Sequence, residues 1–387
     1  EQVYDQLTNE NIREKLLLSL VQTKKTTYME GWLPEAATEK IGKLLAENGC
    51  AYEFSDPAEG EDPPTYLENK PLFHAFGSIT ELYGMPAYGT VVDPNPFVAV
   101  FFFLFFGIMF SDAAYGLILT VIAAIYLAKA KPTGDAKRYI TVALFVGIST
   151  VLWGSVFGSW FGDLIPTLSR MITGKEVQIP LLLDPLAQPM QMLILSLGLG
   201  MVHLFVGMGL AAYRMIKQGH FWDAVFDIGF WYLILLGLVG ALVGIQAGIY
   251  MAAAGALGVL ITGGRHKKGL GKITGGLGSL YGITSYLSDI LSYSRLMALG
   301  LSTGVVATVM NTLGSLAGNG VIGWVLFIFV FAVGQTFNFA IGILGAFVHT
   351  CRLQFVEFFG KFFEGGGRAF APLHHKTKYV QLLKEEN

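Results

Sequence analysis

The sequence predicts a mainly α-helical, polytopic membrane protein with about eight transmembrane helices, preceded by a partial soluble α/β lobe. Of its 387 residues 53% are hydrophobic and only 14% are charged, and the mean hydropathy is +0.54. A typical soluble domain carries about 25% charged residues. A globular chain this apolar would have to hide nearly all of its surface, so the composition excludes an ordinary cytosolic protein and a disordered one.

Residues 1–95 are expected to form a partial cytoplasmic domain. Charged residues are frequent there, and Pro and acidic residues cluster in the stretch SDPAEGEDPP. Hydrophobic periodicity predicts helices near 9–23 and 35–48 and short strands around 26–32 and 50–54. One helix between two short strands is too small to bury a core, so we expect further sequence to complete this lobe.

Apolar runs begin after Pro96, and seven can be distinguished. They cover 97–128, 139–161, 189–213, 224–246, 247–263, 278–312 and 321–359. A membrane span needs about 20 apolar residues. The last two runs are longer than that, so we expect two long helices that tilt strongly or continue beyond the bilayer.

The positions of the basic residues raise the expected number of spans to eight. Lys and Arg cluster at 129–138, 214–217, 265–272 and 361–378. Cytoplasmic loops are enriched in Lys and Arg, and all four clusters share one side of the membrane only if run 97–128 crosses twice. Its centre, GIMFSDAAYG, offers Gly, Ser and Asp for a break. We therefore predict a transmembrane domain at 96–362 and a cytoplasmic tail at 363–387, with both ends of a multi-pass chain in the cytoplasm.

Arg295 is the residue that most narrows the range of functions the sequence allows. It stands near the middle of its apolar run, in SYLSDILSYSRLMALGLSTG. A central Arg costs about 2.5–3.5 kcal/mol on membrane-insertion scales, and a guanidinium stays charged in a protein. It therefore needs water, a carboxylate or backbone oxygens. An internal salt bridge to Asp289 is the alternative, but Asp289 lies six residues earlier, on the far side of the helix.

The last apolar run carries three further candidate residues. Arg352 stands toward its cytoplasmic end, where snorkelling to the interface is the alternative to a functional role. Glu357 follows five residues later, as a partner of Arg352 or as an interfacial charge. His349 lies one helical turn before Arg352, and a lone His in a span is more often a packing residue than a proton carrier.

Polar residues also precede Arg295 on its own helix. Ser288, Ser292 and Asp289 could together line a wet path on one side of the bilayer. For each serine alone, a hydrogen bond back to a helix carbonyl is the alternative. Four other aspartates near predicted helix ends are expected to be helix caps, namely Asp112, Asp163, Asp223 and Asp227.

The sequence shows no motif for nucleotide chemistry. It lacks a Walker A sequence, a nucleophile elbow, an HExxH motif and a dinucleotide glycine fingerprint. The net charge of −2 gives no reason to expect nucleic acid as a partner. Its two cysteines, Cys50 and Cys351, lie far apart, so we expect neither a disulfide framework nor a metal site. No cofactor is predicted.

Several stretches resemble the membrane subunit of rotary V-type and A-type ATPases, which is subunit a in eukaryotes and subunit I in archaea and bacteria. They are EGWLPE (30–35), PPTYLENKPLFHAFGSITELYGMPAYGTVVDPNPF (63–97), FGIMFSDAAYG (106–116), SYSRLMALGLS (292–302) and CRLQFVEFFGKFFEGGG (351–367). The last two are the most specific, because they are similar to the family's two arginine-bearing helices. The resemblance runs from about Glu30 to Pro372 and implies that a long coiled-coil N-terminal domain is largely missing.

The resemblance also implies roles for particular residues. Arg295 matches the arginine held essential for ion transfer, and Arg352 matches the second arginine, on the last helix. The implied protein is a non-catalytic stator subunit that provides two offset half-channels for H⁺ or Na⁺. Its implied partners are a rotor ring of small membrane subunits with buried carboxylates, a peripheral stalk and an ATPase head. Two positions depart from several eukaryotic members: Gly342 replaces a glutamate and Thr303 replaces a histidine.

Two other functions stay open at this point. A secondary ion or solute transporter would bind its solute near mid-membrane and usually shows internal repeats, which are not visible in this chain. A purely structural membrane anchor for a peripheral complex would not need Arg295 in mid-span. The choice between H⁺ and Na⁺ rests with a carboxylate on another chain.

Overall fold

The structure is a computed structural model, and its described residues fall into two compact units. It describes residues 2–58, 60–175, 177, 183, 185–265, 271–316, 318 and 320–372. The first unit comprises the described parts of Glu1–Leu67, Met85–Gly89 and Gly365–Asn387, and the second comprises those of Glu68–Gly84 and Thr90–Glu364. Lys267, Lys268, Lys376 and Lys378, on which the topology prediction partly rests, lie outside the described residues. The domain boundaries predicted at 95 and 362 stay predictions.

The first unit combines two helices with two small antiparallel strand pairs. Its elements are α1 (Gln2–Ser19), β1 (Val21–Gln22), β2 (Thr27–Tyr28), α2 (Thr38–Glu47), β3 (Met85–Pro86) and β4 (Gly365–Gly367). The strand predicted at 50–54 is wrong. That segment has no strand to pair with, and the rings of Tyr52 and Phe54 instead pack together, with centroids 5.1 Å apart, beside Gly42 of α2.

The second unit consists of helices, and this confirms the mainly α-helical fold class. They are α3 (Pro71–Tyr83), α4 (Asn95–Phe110), α5 (Ala113–Ala130), α6 (Gly134–Phe157), α7 (Leu164–Thr173), α8 (Pro189–Lys217), α9 (Phe221–Leu242), α10 (Gln246–Thr262), α11 (Gly271–Tyr281), α12 (Ile283–Ser292), α13 (Ser294–Ser315) and α14 (Val321–Phe362). Six segments are long and apolar enough to cross a membrane: α5, α6, α8, α9, α14 and the series α11–α13. The apolar helices α4 and α10 are shorter. That all eight cross stays a prediction.

Run 97–128 is broken where the sequence predicted, at Ser111 and Asp112. The side chain of Asp112 caps α5 by accepting from the backbone N–H groups of Ala114 and Tyr115, at 3.0 and 3.2 Å. The two arms then run in opposite directions along α6. The start of α4 lies near the start of α6, since Asn95 and Arg138 both approach Gly77, and Gly107 lies further along, against Ser149 and Trp153. In contrast, α5 passes Gly154 first and Gly147 later.

The short helix α4 is shielded by protein. It has 16 residues and is therefore about 24 Å long, less than the roughly 30 Å of a bilayer's hydrocarbon. Eleven of these residues are buried, and Phe102, Phe105 and Phe110 are fully inaccessible. A helix that is apolar on every face is expected in such a core.

The two long C-terminal runs differ from simple continuous helices. The run 278–312, predicted as one helix, is interrupted at Gly282 and Tyr293, where ψ is −17° and −10°, compared with about −42° in an α-helix. The fully buried Tyr293 ring presses against α8 at Gly200, where a Cβ would lie 2.2 Å from the ring. The second run continues to Phe362 as α14 and includes a π-helical segment at Leu353–Phe358. Their length is confirmed, and their tilt stays a prediction.

Candidate functional site

Arg295 lies in the first turn of α13 and faces an acidic residue of the last helix. Its Nη1 is 3.7 Å from Oε1 of Glu357, whose side chain is 2% exposed. That distance is too long for a hydrogen bond. Among the described residues, neither Arg295 Nη1 nor Glu357 Oε2 has a hydrogen-bond partner. The two side chains therefore form a loose ion pair that leaves hydrogen-bonding capacity on both partners.

Asp289 is not the partner of Arg295, in agreement with its position on the helix. Its Oδ2 accepts a hydrogen bond of 2.6 Å from Lys361 Nζ, near the end of α14. The Lys361 ammonium also lies 4.3 Å from the centre of the Tyr286 ring. This second ion pair joins α12 to α14 and accounts for Asp289 structurally.

Arg352 and His349 extend the site toward the surface of the protein. Arg352 is exposed and makes no ion pair within 4.0 Å among the described residues. His349 is half-buried, and its Nδ1 has no hydrogen-bond partner there. Both arginines act electrostatically on Glu357 and on His349. The structure thus groups Arg295, Arg352, Glu357 and His349 around one position.

The two serine candidates behave as ordinary helix residues with access to the site. Ser292 Oγ donates to the backbone oxygen of Ser288 at 3.0 Å, which is the expected back-bond. Ser292 also lies beside the Glu357 carboxylate. Ser288 is exposed on the same helix.

A buried network of neutral polar side chains lies beyond Arg295 along α13, and sequence reasoning missed it. The Tyr115 hydroxyl donates to Gln335 Oε1, and Gln335 Nε2 donates to Asn311 Oδ1 at 2.9 Å. Asn338 Nδ2 donates to the Tyr115 hydroxyl at 3.0 Å and to the Thr303 carbonyl at 3.1 Å. All four of these side chains are at most 6% exposed. The only signal in the sequence is the spacing of Gln335 and Asn338 within an apolar run.

This neutral network ends at an acidic residue near a loop. Asn311 Nδ2 donates to Asp163 Oδ1 at 3.0 Å, and Thr167 Oγ1 donates to Asp163 Oδ2 at 3.2 Å. Thr303 and Asn311 follow Arg295 by 8 and 16 residues, or by about 12 and 24 Å along a helix axis. The network therefore runs from near Arg295 toward the far end of α13.

A second buried cluster lies on the other side of Arg295, and sequence reasoning missed this one too. His203 of α8 is inaccessible, and its Nδ1 is 2.8 Å from the Tyr293 hydroxyl. Its ring stacks on that of Phe358, with centroids 4.3 Å apart. Gly200 and Gly207 flank His203 on the same face of α8. That glycine spacing is the signal that would have marked His203 as a contact with the two functional helices.

The remaining aspartates cap helices or pair with cations. Asp112 accepts three more hydrogen bonds, from Ser159 Oγ and from the N–H groups of Phe161 and Gly162. Asp223 and Asp227 both pair with Arg265 Nη2, at 2.8 and 2.7 Å. Within the described residues, no group of three or more His, Cys, Asp or Glu side chains is placed to hold a metal ion.

The sequence of this chain matches one protein family and several named relatives. The profile of the V-type ATPase 116 kDa subunit family matches residues 8–164 and 283–375. The A-type ATP synthase subunit I of Methanocaldococcus jannaschii is 32% identical over 415 residues, which cover 98% of this chain and 59% of the relative. The protein of that name from Thermococcus kodakarensis is 35% identical over 390 residues, with 97% and 58% covered.

A bacterial relative is similar over nearly the same length. The V-type ATP synthase subunit I of Chlamydia trachomatis is 28% identical over 420 residues, with 92% of this chain and 62% of the relative covered. The chain thus spans about three fifths of the length of the curated relatives it matches. Arg295, Arg352 and Glu357 fall inside the second segment of the family match, whereas His203 lies outside both segments.

Proposed function

The chain belongs to the V-type ATPase 116 kDa subunit family, and from that premise we propose that it is the membrane stator subunit of a rotary ATPase. In this proposal it passes H⁺ or Na⁺ between the two sides of the membrane and a ring of small rotor subunits. The observation that carries the proposal is Arg295, a permanent cation held by only a loose ion pair between two buried polar zones.

Arg295 would act on a carboxylate carried by each rotor subunit. A bare carboxylate facing lipid is too costly, so each one must be neutral, either protonated or ion-loaded, while it faces lipid. When it reaches Arg295, the guanidinium favours the ionised form and expels the ion. The same fixed charge repels a free cation and blocks a direct leak. The driving energy is about 2.3 kcal/mol per charge for 100 mV of membrane potential.

The two polar zones are our candidates for the half-channels. The zone that contains Tyr115, Asn311, Gln335 and Asn338 lies toward the far end of α13. The second zone lies at the end of α13 that adjoins α12. It comprises Ser292 and Glu357, followed by Asp289 and Ser288 along α12. Support for this assignment comes from the burial of the first zone and of Glu357, and from the separation of the two zones by Arg295 along one helix.

Arg352 would shape the path on the cytoplasmic side or assist Arg295 in holding the rotor carboxylate. Its exposed side chain, free of any ion pair within the described residues, is compatible with a partner on another chain. Glu357 would support the path by limiting how strongly Arg295 holds the rotor. Arg352→Lys should retain partial transport if charge alone matters, whereas normal transport by Arg352→Ala would favour snorkelling.

The chain is an integral membrane protein, given its family and its apolar helices. We propose that it crosses the membrane eight times, with both ends in the cytoplasm. The reversal of direction between α4 and α5 supports the added crossing. A peripheral stalk and an ATPase head would be its partners in the cytoplasm.

Ion uptake driven by ATP in vesicles containing the reconstituted complex tests this function. Arg295→Ala should abolish uptake, and Arg295→Lys should impair it strongly, because a buried ammonium can lose its proton and a guanidinium cannot. Co-purification of the ring reports assembly, and Arg170→Ala in the exposed part of α7 is the control. Near-normal uptake by an assembled Arg295→Ala complex would refute the function. Uptake that needs no rotor ring would instead favour a secondary transporter.

A further inference from the structure

Beside Arg295, five buried polar atoms from four side chains lack hydrogen-bond partners among the described residues. They are His203 Nε2, Gln354 Nε2, Gln354 Oε1, Glu357 Oε2 and Arg295 Nη1. His203 and Gln354 are 0% exposed and Glu357 is 2% exposed. Buried polar groups in folded proteins are nearly always hydrogen-bonded, to protein or to ordered water. Such a concentration of unpaired atoms therefore indicates a bound ligand.

These atoms come from three elements that converge at one place. The π-helical segment of α14 carries both Gln354 and Glu357. His203 of α8 lies beside Gln354 without a hydrogen bond to it and stacks on Phe358 of the same segment. Tyr293, which holds His203 Nδ1 at 2.8 Å, precedes Arg295 by two residues and interacts electrostatically with Glu357. π-helical turns are rare and are often found at functional sites.

The chemistry of the unpaired atoms selects the ligand. Arg295 Nη1 and Gln354 Nε2 are donors, Gln354 Oε1 and Glu357 Oε2 are acceptors, and an imidazole nitrogen can take either role. A metal ion would need acceptors alone, and an anion would need donors alone. Water both donates and accepts, and buried water typically makes about three hydrogen bonds to otherwise unsatisfied groups.

We propose that His203, Gln354 and Glu357 enclose a water-binding site that hydrates the Arg295 site from the side of α8. The inference rests on the proposed function for its role in ion transfer, but the presence of the water does not. His203 is a positioning residue here. It orients Tyr293 through one ring nitrogen and offers the other to the water. The aromatic rings around it, Phe101, Phe105 and Phe358, separate this water from lipid.

Radiolytic hydroxyl-radical footprinting of the intact complex tests for the water directly. The method generates radicals from bound water and so labels side chains beside it, even buried ones. Tyr293 and Phe102 are both 0% exposed, but Phe102 lies among the rings of Phe76, Phe106 and Phe347, away from both polar zones. We expect oxidation of Tyr293 and His203 well above that of Phe102. Gln354→Leu, which removes two of the unpaired atoms, should reduce the difference. Equal labelling of Tyr293 and Phe102 in the wild-type complex would overturn the proposal.

Ion uptake by His203 variants tests the role of the site. His203→Phe keeps a ring within the aromatic cage, so a packing role alone predicts normal uptake. We expect a loss of about tenfold or more, as for one lost buried hydrogen bond, with partial recovery in His203→Gln. In the double variant His203→Phe/Tyr293→Phe no hydroxyl is left unpaired, so full recovery there would reduce His203 to a packing residue. The control is Ser196→Ala. Ser196 lies two helical turns before His203 on the same face of α8, and its hydroxyl donates to the Met192 carbonyl of that helix.

The two experiments separate this inference from the proposed function. If footprinting labels Tyr293 and Arg295→Ala still transports ions, the water site stands and the proposed function fails. If Arg295→Ala abolishes uptake and Tyr293 is not labelled, the function stands and the water site fails.

Discussion

Glu357→Gln is the most informative single substitution at the Arg295 site. It keeps the shape of the side chain and removes the negative charge that lies 3.7 Å from Arg295 Nη1. In the proposed function, Glu357 and the rotor carboxylate compete for one guanidinium. Without the charge of Glu357, Arg295 would hold each rotor carboxylate more tightly. The carboxylate should then leave Arg295 more slowly to bind its next ion.

The size of the effect follows from the geometry. Two unit charges 3.7 Å apart interact by about 4 kcal/mol at an effective dielectric constant of about 20. Arg295 is 26% exposed, so water weakens this attraction. If about a third of it is transferred to the rotor carboxylate, the barrier to rotation rises by roughly 1.4 kcal/mol, which is tenfold in rate.

The assay is ATP-driven ion uptake by reconstituted complexes, measured together with ATP hydrolysis. We expect uptake and hydrolysis to fall together by about tenfold, because a rotor that is held too tightly slows both. Glu357→Asp, which keeps the charge, is the matched control and should lie closer to wild type. Uptake by Glu357→Gln equal to that of the wild-type complex would show that Glu357 does not compete for Arg295. A loss of ring co-purification would assign Glu357 to assembly.

Three further outcomes follow from the contacts. Lys361→Ala should lower the melting temperature of the complex by leaving Asp289 unpaired, and the exchange Asp289→Lys/Lys361→Asp should restore it; no recovery would contradict the pairing. Gln335→Leu leaves the Tyr115 hydroxyl without an acceptor and Asn311 Oδ1 without a donor, a loss of about 1–3 kcal/mol for each group. Its melting temperature should fall, and an unchanged value would contradict the network. In a chain without its native cysteines, a Cys at position 131 should react only with a cytoplasmic reagent and a Cys at 175 only with an external one; the reverse would refute the topology.

The parts of the fold that sequence predicted have local causes. The break at Ser111 and Asp112 was visible because an aspartate that caps α5 is a local signal. The interruption at Tyr293 was not, because its cause is the packing of that ring against Gly200 of α8, 93 residues away. The strand expected at 50–54 failed for a related reason, since a strand exists only where a second strand can pair with it.

The residues of the site also fall into those that the sequence revealed and those that it did not. Arg295 and Arg352 could be identified because a charge in an apolar run is conspicuous by itself. The approach of Glu357 to Arg295 rather than to Arg352 depends on how α14 packs beside α13. Neutral residues such as His203 and Asn311 give little signal in a sequence, and only burial and contacts reveal what they do.

One departure from the eukaryotic pattern, Gly342, has a physical explanation beside the buried network of Tyr115, Asn311, Gln335 and Asn338. At Gly342 a Cβ would lie 2.6 Å from the buried Phe110 ring, so a larger side chain there would require that ring to move. Asn338 and Gln335 precede Gly342 by four and seven residues, which places all three on one face of α14. That face carries amides in this chain, whereas the resemblance implies a glutamate at the position of Gly342 in several eukaryotic members. Amides neither lose nor gain a proton at ordinary pH, so in the proposed function ions in this zone would move through water beside the amides rather than by titration of Asn311, Gln335 or Asn338. Arg295 would then be the charged side chain of α13 that acts on the rotor carboxylate.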